Sequence, residues 1–232
     1  MDRNSFYKTI KIPSYSDLTC SALGLDSPDH CFDQKHYKQY PQFEYKFNSL
    51  GYRTVDPTTW TGKEILVLGD SFTLGLGCSA EDIYTSQLEK TLNYPVLNFS
   101  LNGASNDWIN RKLGQLLEFF DPPAVVVHYT FSHRRECPRE DWFDDERTMC
   151  DPLPSAAENY NNWHENFKSI CNQNCNVVHS FITDWHPEPV SYDNKMIPPI
   201  KKIDLARDGF HYGPRTHQAI TNLLADELRQ FL

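Results

Sequence analysis

"AVVVHY", residues 124–129, is apolar at successive positions rather than at alternate ones. A strand with one wet face alternates polar and apolar side chains. An unbroken β-branched run therefore reads as a strand buried on both faces, as the centre of a parallel sheet must be. Working outward, "NVVHSFI" (176–182), "PVLNFS" (95–100) and "EILVLG" (64–69) are further apolar runs of strand length. Helical spacing fills the intervals. "DIYTSQLEKTL" (82–92) carries Ile83, Gln87, Leu88 and Leu92 on one face, and Ser105 stands where it can cap a helix striped by Trp108, Ile109, Leu113, Leu116, Leu117 and Phe120. Ala157, Tyr160, Trp163, Phe167 and Ile170 mark another helix, and Pro214 opens a last one with Ile220, Leu223, Leu224, Leu228 and Phe231 inward. Strand and helix in alternation predict an α/β fold, a three-layer α/β/α sandwich around a central parallel sheet. Ligands bind such sheets at the carboxyl ends of the strands. Ser71, Gly103 and the residues after Tyr129 fall there.

The 232 residues suffice for one full α/β core and not for two large ones. Residues 1–60 hold scattered Pro and aromatics without a long periodic run, and read as an N-terminal extension packing on a domain over 61–232. Hydrophobic residues at 39% and aromatics at 13% fit a packed core. The net charge of -9 argues against nucleic acid or an anionic membrane as partner. The acidic cluster "EDWFDDE" (140–146) reads as a solvated loop. The opening "MDRNSFYKTIKIPSYSDL" lacks the apolar segment of a signal peptide, and no run approaches the length of a membrane span, so a soluble protein of the cytoplasm is expected. Seven cysteines (20, 31, 78, 137, 150, 171 and 175), odd in number and irregular in spacing, fit reduced thiols. Cys171 and Cys175 lie near His164 and His179, but their spacing is looser than that of paired zinc ligands and Cys171 falls on an apolar helical face. No metal is expected.

Ser71 ends the run "EILVLGDS", where it is either a turn residue or a nucleophile. A serine hydroxyl needs an adjacent base, itself held by a carboxylate. "GASND" (103–107) begins like a Gly-x-Ser-x-Gly elbow but lacks the closing Gly. In "ARDGFHYGPRTH" (206–217), Asp208 and His211 stand three apart just before the last helix, a spacing that lets one tight turn bring carboxylate to imidazole. By average composition, a Gly-Asp-Ser triple arises by chance in roughly one chain in twenty of this length and an Asp-x-x-His in roughly one in four. Each alone is weak; their order and their placement at the first strand's end and before the last helix make the pair much stronger. His128, inside a buried strand, reads as a satisfied core histidine, and His186 in "TDWHPEP" (183–189) as a loop residue. Arg134 and Arg135 either meet a substrate carboxylate or pair with the acidic cluster.

Taken together, "GDSFTLGLG" (69–77), "NFSLNGASN" (98–106) and "DGFHYGPRTH" (208–217) resemble three sequence blocks of the SGNH (GDSL) hydrolases, and "FNSLGYR" (47–53) is similar to an Asn-x-x-Gly-aromatic-Arg element upstream of the first block in many members. The resemblance implies the flavodoxin-like fold of that family, Ser71 as nucleophile, His211 and Asp208 completing a triad, Gly103 lending an N–H to the oxyanion hole beside that of Ser71, and His217 at a frequent second His position. The family's usual third block, Gly-x-Asn-Asp, is absent: "VVVHYTFSHRRE" (125–136) contains no Asn to act as an oxyanion donor. Asn106 is preferred as the replacement, with Thr130 and Ser132 as alternatives. The expected activity is hydrolysis of a small-molecule or glycan ester without cofactor. Two alternatives stand beside it, a glycan O-acyltransferase using the same triad and a non-catalytic binding protein that keeps the fold.

Overall fold

The computed structural model describes residues 2–136, 149–182, 196–198 and 201–232. Four parallel strands form the central sheet: β1 (Ile65–Gly69), β2 (Val96–Ser100), β3 (Val125–Tyr129) and β4 (Val177–Phe181), in the order β2-β1-β3-β4. This is the order of the first four strands in a flavodoxin-like sheet. β3 lies inside the sheet, with Val126 opposite Val67 on one side and Val178 on the other, and its side chains are buried on both faces, Val125 and Val127 in one core and Val126 in the other.

Because successive side chains of a strand point to opposite faces, each strand feeds two cores. Leu66, Leu68, Leu97, Phe99, Val125, Val127 and Tyr129 meet helices α1 (Arg3–Ile10), α5 (Asn106–Leu117) and α6 (Ala156–Cys171). Ile65, Val67, Val96, Val126 and Val178 meet α4 (Tyr84–Leu92) and α7 (Pro214–Leu228) on the other side. The three layers follow. Helix starts are set by local chemistry: the Ser105 side chain accepts from the Trp108 N–H, Ser155 and Glu158 form a reciprocal capping box, and Pro214 fills the first turn of α7. Leu117, Leu223 and Phe231, expected inward, are only partly buried at the margins of their stripes.

The first sixty residues are not a separate layer. Phe6 and Ile10 of α1 enter the same core as Leu66 and Phe99, and Phe6 stacks on Phe119 at 4.7 Å. The turn in "FNSLGYR" explains its own residue types. Asn48 Oδ1 accepts from the N–H groups of Leu50 and Tyr52. Gly51 has φ +86°, and a Cβ there would lie 2.4 Å from the Ile12 carbonyl oxygen, so only glycine fits.

No helix among the described residues is long and apolar enough to cross a membrane. Among the described residues no group of three or more His, Cys, Asp or Glu is arranged around a common point as metal ligands would be. Cys171, expected on an apolar face, is exposed at the end of α6, with Sγ 3.7 Å from His179 Nε2. The cluster at 140–146 and His186 lie outside the described residues.

Candidate active site

β1 ends at Gly69, which is glycine for want of room: a Cβ there would fall 2.0 Å from Thr73 Oγ1. Asp70 then caps the one-turn helix α3 (Ser71–Leu74), its carboxylate accepting from the Phe72 N–H at 3.0 Å. Gly75, left-handed at φ +74°, stops the helix after that turn. Arg53 holds the exit, Nη1 donating to the carbonyls of Leu74 and Gly75 and Nη2 to that of Cys78. The Arg of "FNSLGYR" is thus a clamp on the turn that carries Ser71.

Ser71 Oγ is 2.8 Å from His211 Nε2, and His211 Nδ1 is 2.5 Å from Asp208 Oδ2. The second Asp208 oxygen accepts from the N–H groups of Phe210 and His211 at 2.9 and 3.0 Å, and Gly209 supplies the left-handed residue (φ +75°) that lets the turn close. The three-residue spacing therefore makes a turn in which one oxygen orders the backbone and the other addresses the ring. Burial pulls the Asp208 pKa up, but the hydrogen bond and charge of His211 and the two backbone donors together outweigh it, leaving the carboxyl below its ordinary value.

The turn is anchored from the other end of the chain. Arg207 Nη2 and Nε donate to the Asp26 carboxylate at 2.5 and 2.9 Å, with both side chains fully buried. Tyr45 donates to the same carboxylate and accepts from the Gly77 N–H, while the Arg207 N–H donates to the Gly77 carbonyl at 3.0 Å. The Arg207 guanidinium also lies over Tyr37 at 4.7 Å and Phe43 at 4.0 Å. The segment after Ser71 and the segment before Asp208 are so held in one network with residues 26–45.

At the end of β2, Gly103 is left-handed (φ +67°). Among the described residues neither its N–H nor that of Ser71 donates to a protein acceptor. Two of the three other candidate donors, Asn106 and Thr130, are engaged. Asn106 Oδ1 accepts from the Thr130 N–H at 3.1 Å, and Nδ2 donates to the carbonyls of Thr130 at 3.1 Å and Phe131 at 3.4 Å. Thr130 Oγ1 donates to Asp70 at 2.6 Å. Arg134 Nη1 donates to Asp70 Oδ2 at 2.7 Å, next to Ser71 in sequence, and this contact had no signal in the motif pattern; the acidic cluster it was also expected to meet lies outside the described residues.

His128 and His217 lie in the same region, both buried. His128 shares a hydrogen with Ser180 Oγ at 2.8 Å, and His217 Nδ1 accepts from the Tyr84 N–H at 3.2 Å. Burial lowers the His128 pKa to about 4, and burial together with the charges of Arg53, His128 and His211 lowers that of His217 to about 3. The fold thus excludes protons that the unfolded chain takes up near pH 6.5. Their contribution is complete above that pH and is lost as pH falls toward the folded values. Between pH 7 and 5 each histidine should cost about 2 kcal/mol of stability. The depressed Asp208 carboxyl adds a further loss only below its unfolded value near pH 4. Urea unfolding at pH 7 and 5 measures this; equal midpoints would mean that the two rings titrate as free imidazoles.

No family model and no curated protein matches the chain. Solved structures similar to it include TesA, 17% identical over 73% of this chain and 100% of that one, with a TM-score of 0.47. The psychrotrophic esterase EstA from Pseudoalteromonas sp. is 15% identical over 73% and 98% of the two chains, with a TM-score of 0.47. The acetyl xylan esterase Est2A from the rumen bacterium Butyrivibrio proteoclasticus is 14% identical over 83% and 67%, with a TM-score of 0.49.

Proposed function

We propose that this chain is a serine ester hydrolase of the SGNH type. What carries the reading is the unbroken chain of contacts from Asp208 through His211 to Ser71, 2.5 and 2.8 Å, beside two backbone N–H groups without protein acceptors. Asp208 holds the proton of the ring on Nδ1, so Nε2 has a lone pair for the Ser71 hydroxyl. His211 takes that proton as Ser71 Oγ attacks the ester carbonyl. The N–H groups of Ser71 and Gly103 receive the oxyanion. Asn106 joins them by releasing its 3.4 Å contact with the Phe131 carbonyl, which frees one amide hydrogen. His211 then protonates the departing alcohol, and water, activated by the same ring, cleaves the acyl-enzyme. These steps use no metal or organic cofactor.

The test is covalent. A fluorophosphonate should label the folded protein once, and peptide mass spectrometry should find the adduct on Ser71. Labelling at another serine, or none, would remove the catalytic reading and leave the binding-protein alternative.

A further inference from the structure

Among the described residues, the side chain of Arg134 is held through one nitrogen. Nη1 donates to Asp70 Oδ2 at 2.7 Å and to Thr130 Oγ1 at 3.0 Å, and the guanidinium lies over Phe131, 5.0 Å from the ring centroid. Asp70 is fully buried, whereas the Arg134 side chain keeps 19% of its surface exposed. Nε and Nη2 meet no acceptor among the described residues. These two N–H groups lie side by side in the planar guanidinium and fit both oxygens of a carboxylate. The fold uses the same fork elsewhere. Arg207 holds Asp26 through Nε and Nη2 at 2.9 and 2.5 Å, and Arg111 holds Glu136 through the same pair at 3.2 and 2.6 Å. Glu136, two residues beyond Arg134, is therefore taken. Pinned at Nη1 and backed by Phe131, the Arg134 fork has already lost the freedom that binding would otherwise cost.

The layers say which half of an ester meets this fork. His211 leads into α7 and Gly103 leads into α5, and these helices pack on opposite faces of the sheet. The His211 side is closed by the extension: His36 of α2 (Gln34–Gln39) hydrogen-bonds the Ala206 carbonyl at 2.8 Å, and the Phe32 N–H donates to that of Asp208 at 3.0 Å. Arg134 belongs to the α5 side, because the Glu136 N–H donates to Asp107 Oδ2 at 2.9 Å. It thus stands with the oxyanion donors, across the Ser71 turn from His211. His211 gives its proton to the departing alcohol, so the alcohol leaves toward α7 and the acyl group is the part that extends toward Arg134. The anchor, Asp70, directly precedes Ser71, which keeps that reach short. Resting on the hydrolase reading, we propose that Nε and Nη2 of Arg134 bind a carboxylate at the far end of the acyl group, so that the substrate is a half-ester of a short dicarboxylic acid.

Three methyl or acetyl esters test this: monomethyl succinate, methyl levulinate, in which a methyl ketone replaces the carboxylate, and O-acetylglycolate, which carries its carboxylate on the alcohol half. Wild-type protein should hydrolyse monomethyl succinate with kcat/KM about tenfold or more above that of the other two. Arg134→Gln should abolish the preference, with the loss in KM, since the carboxylate is bound alike before and during attack. Arg134→Lys keeps a charge beside Asp70 but has no fork, and should keep only part of the preference. A merely structural role would slow all three esters together and leave their ratio unchanged. Equal rates for the three in wild type, a preference for O-acetylglycolate, or a preference that survives Arg134→Gln would each overturn the proposal. Ligand-observed NMR on the Ser71→Ala protein repeats the comparison without turnover, and equal affinity for monomethyl succinate and methyl levulinate there would overturn it too. Fluorophosphonate labelling of wild type reports on Ser71 alone, so the hydrolase reading and the carboxylate site fail separately. Arg134→Gln leaves Asp70 buried without its cation, so its melting temperature is measured; should it not fold, the wild-type ratio and the Arg134→Lys ratio decide.

Discussion

Turnover of an activated aryl acetate by the Ser71→Ala protein is expected to fall on the order of a millionfold, the loss seen when a triad nucleophile is removed. The substitution deletes one oxygen and little else. Asp70, not Ser71, caps α3, and Arg53 still clamps the exit of the turn, so the backbone N–H of residue 71 stays in place. One hydrogen bond to His211 disappears, worth about 1 kcal/mol of stability. A melting temperature near that of wild type with turnover at background is the expected pair of observations. Turnover above a thousandth of wild type would assign the attack to another group.

Asp208→Asn should cost roughly ten-thousandfold in kcat while the fold survives. The reason lies in the division of labour between the two carboxylate oxygens. The backbone N–H groups of Phe210 and His211 both require an acceptor, so the amide oxygen takes the Oδ1 place and the NH2 group faces His211 Nδ1. A donor there turns Nδ1 into an acceptor and sends the ring proton to Nε2, where it blocks the lone pair that Ser71 needs. Fluorophosphonate labelling should slow in parallel. A variant with wild-type turnover would mean that some other contact sets the tautomer of His211.

Legibility in the sequence followed separation along the chain. β1 to β4 and α4 to α7 announce themselves through local periodicity, and Asp208 with His211 through a spacing of three. His128 read as a core histidine and does pair with Ser180. The contacts that seat these pieces were not legible, because they join residues far apart. Asp70 and Arg134 are 64 positions apart, and Asp26 and Arg207 are 181 apart. Nothing near either residue signals its partner. Asn106 shows the complementary limit. Its position beside the crevice was readable, but that both ends of its amide hold the end of β3 was not.

The distance of 140 residues between Ser71 and His211 also has a consequence in time. A ribosome adds about 5–20 residues per second, so Ser71 leaves it roughly 7–28 s before His211 does. During that interval the Asp26 carboxylate and the Gly77 turn have no Arg207 to close upon. Long-range pairings of this kind form late in folding, since the loop between them must be closed first. On the proposed mechanism, a nascent chain would hold Ser71 without its base however much of its sheet had formed, until the segment 206–217 docks.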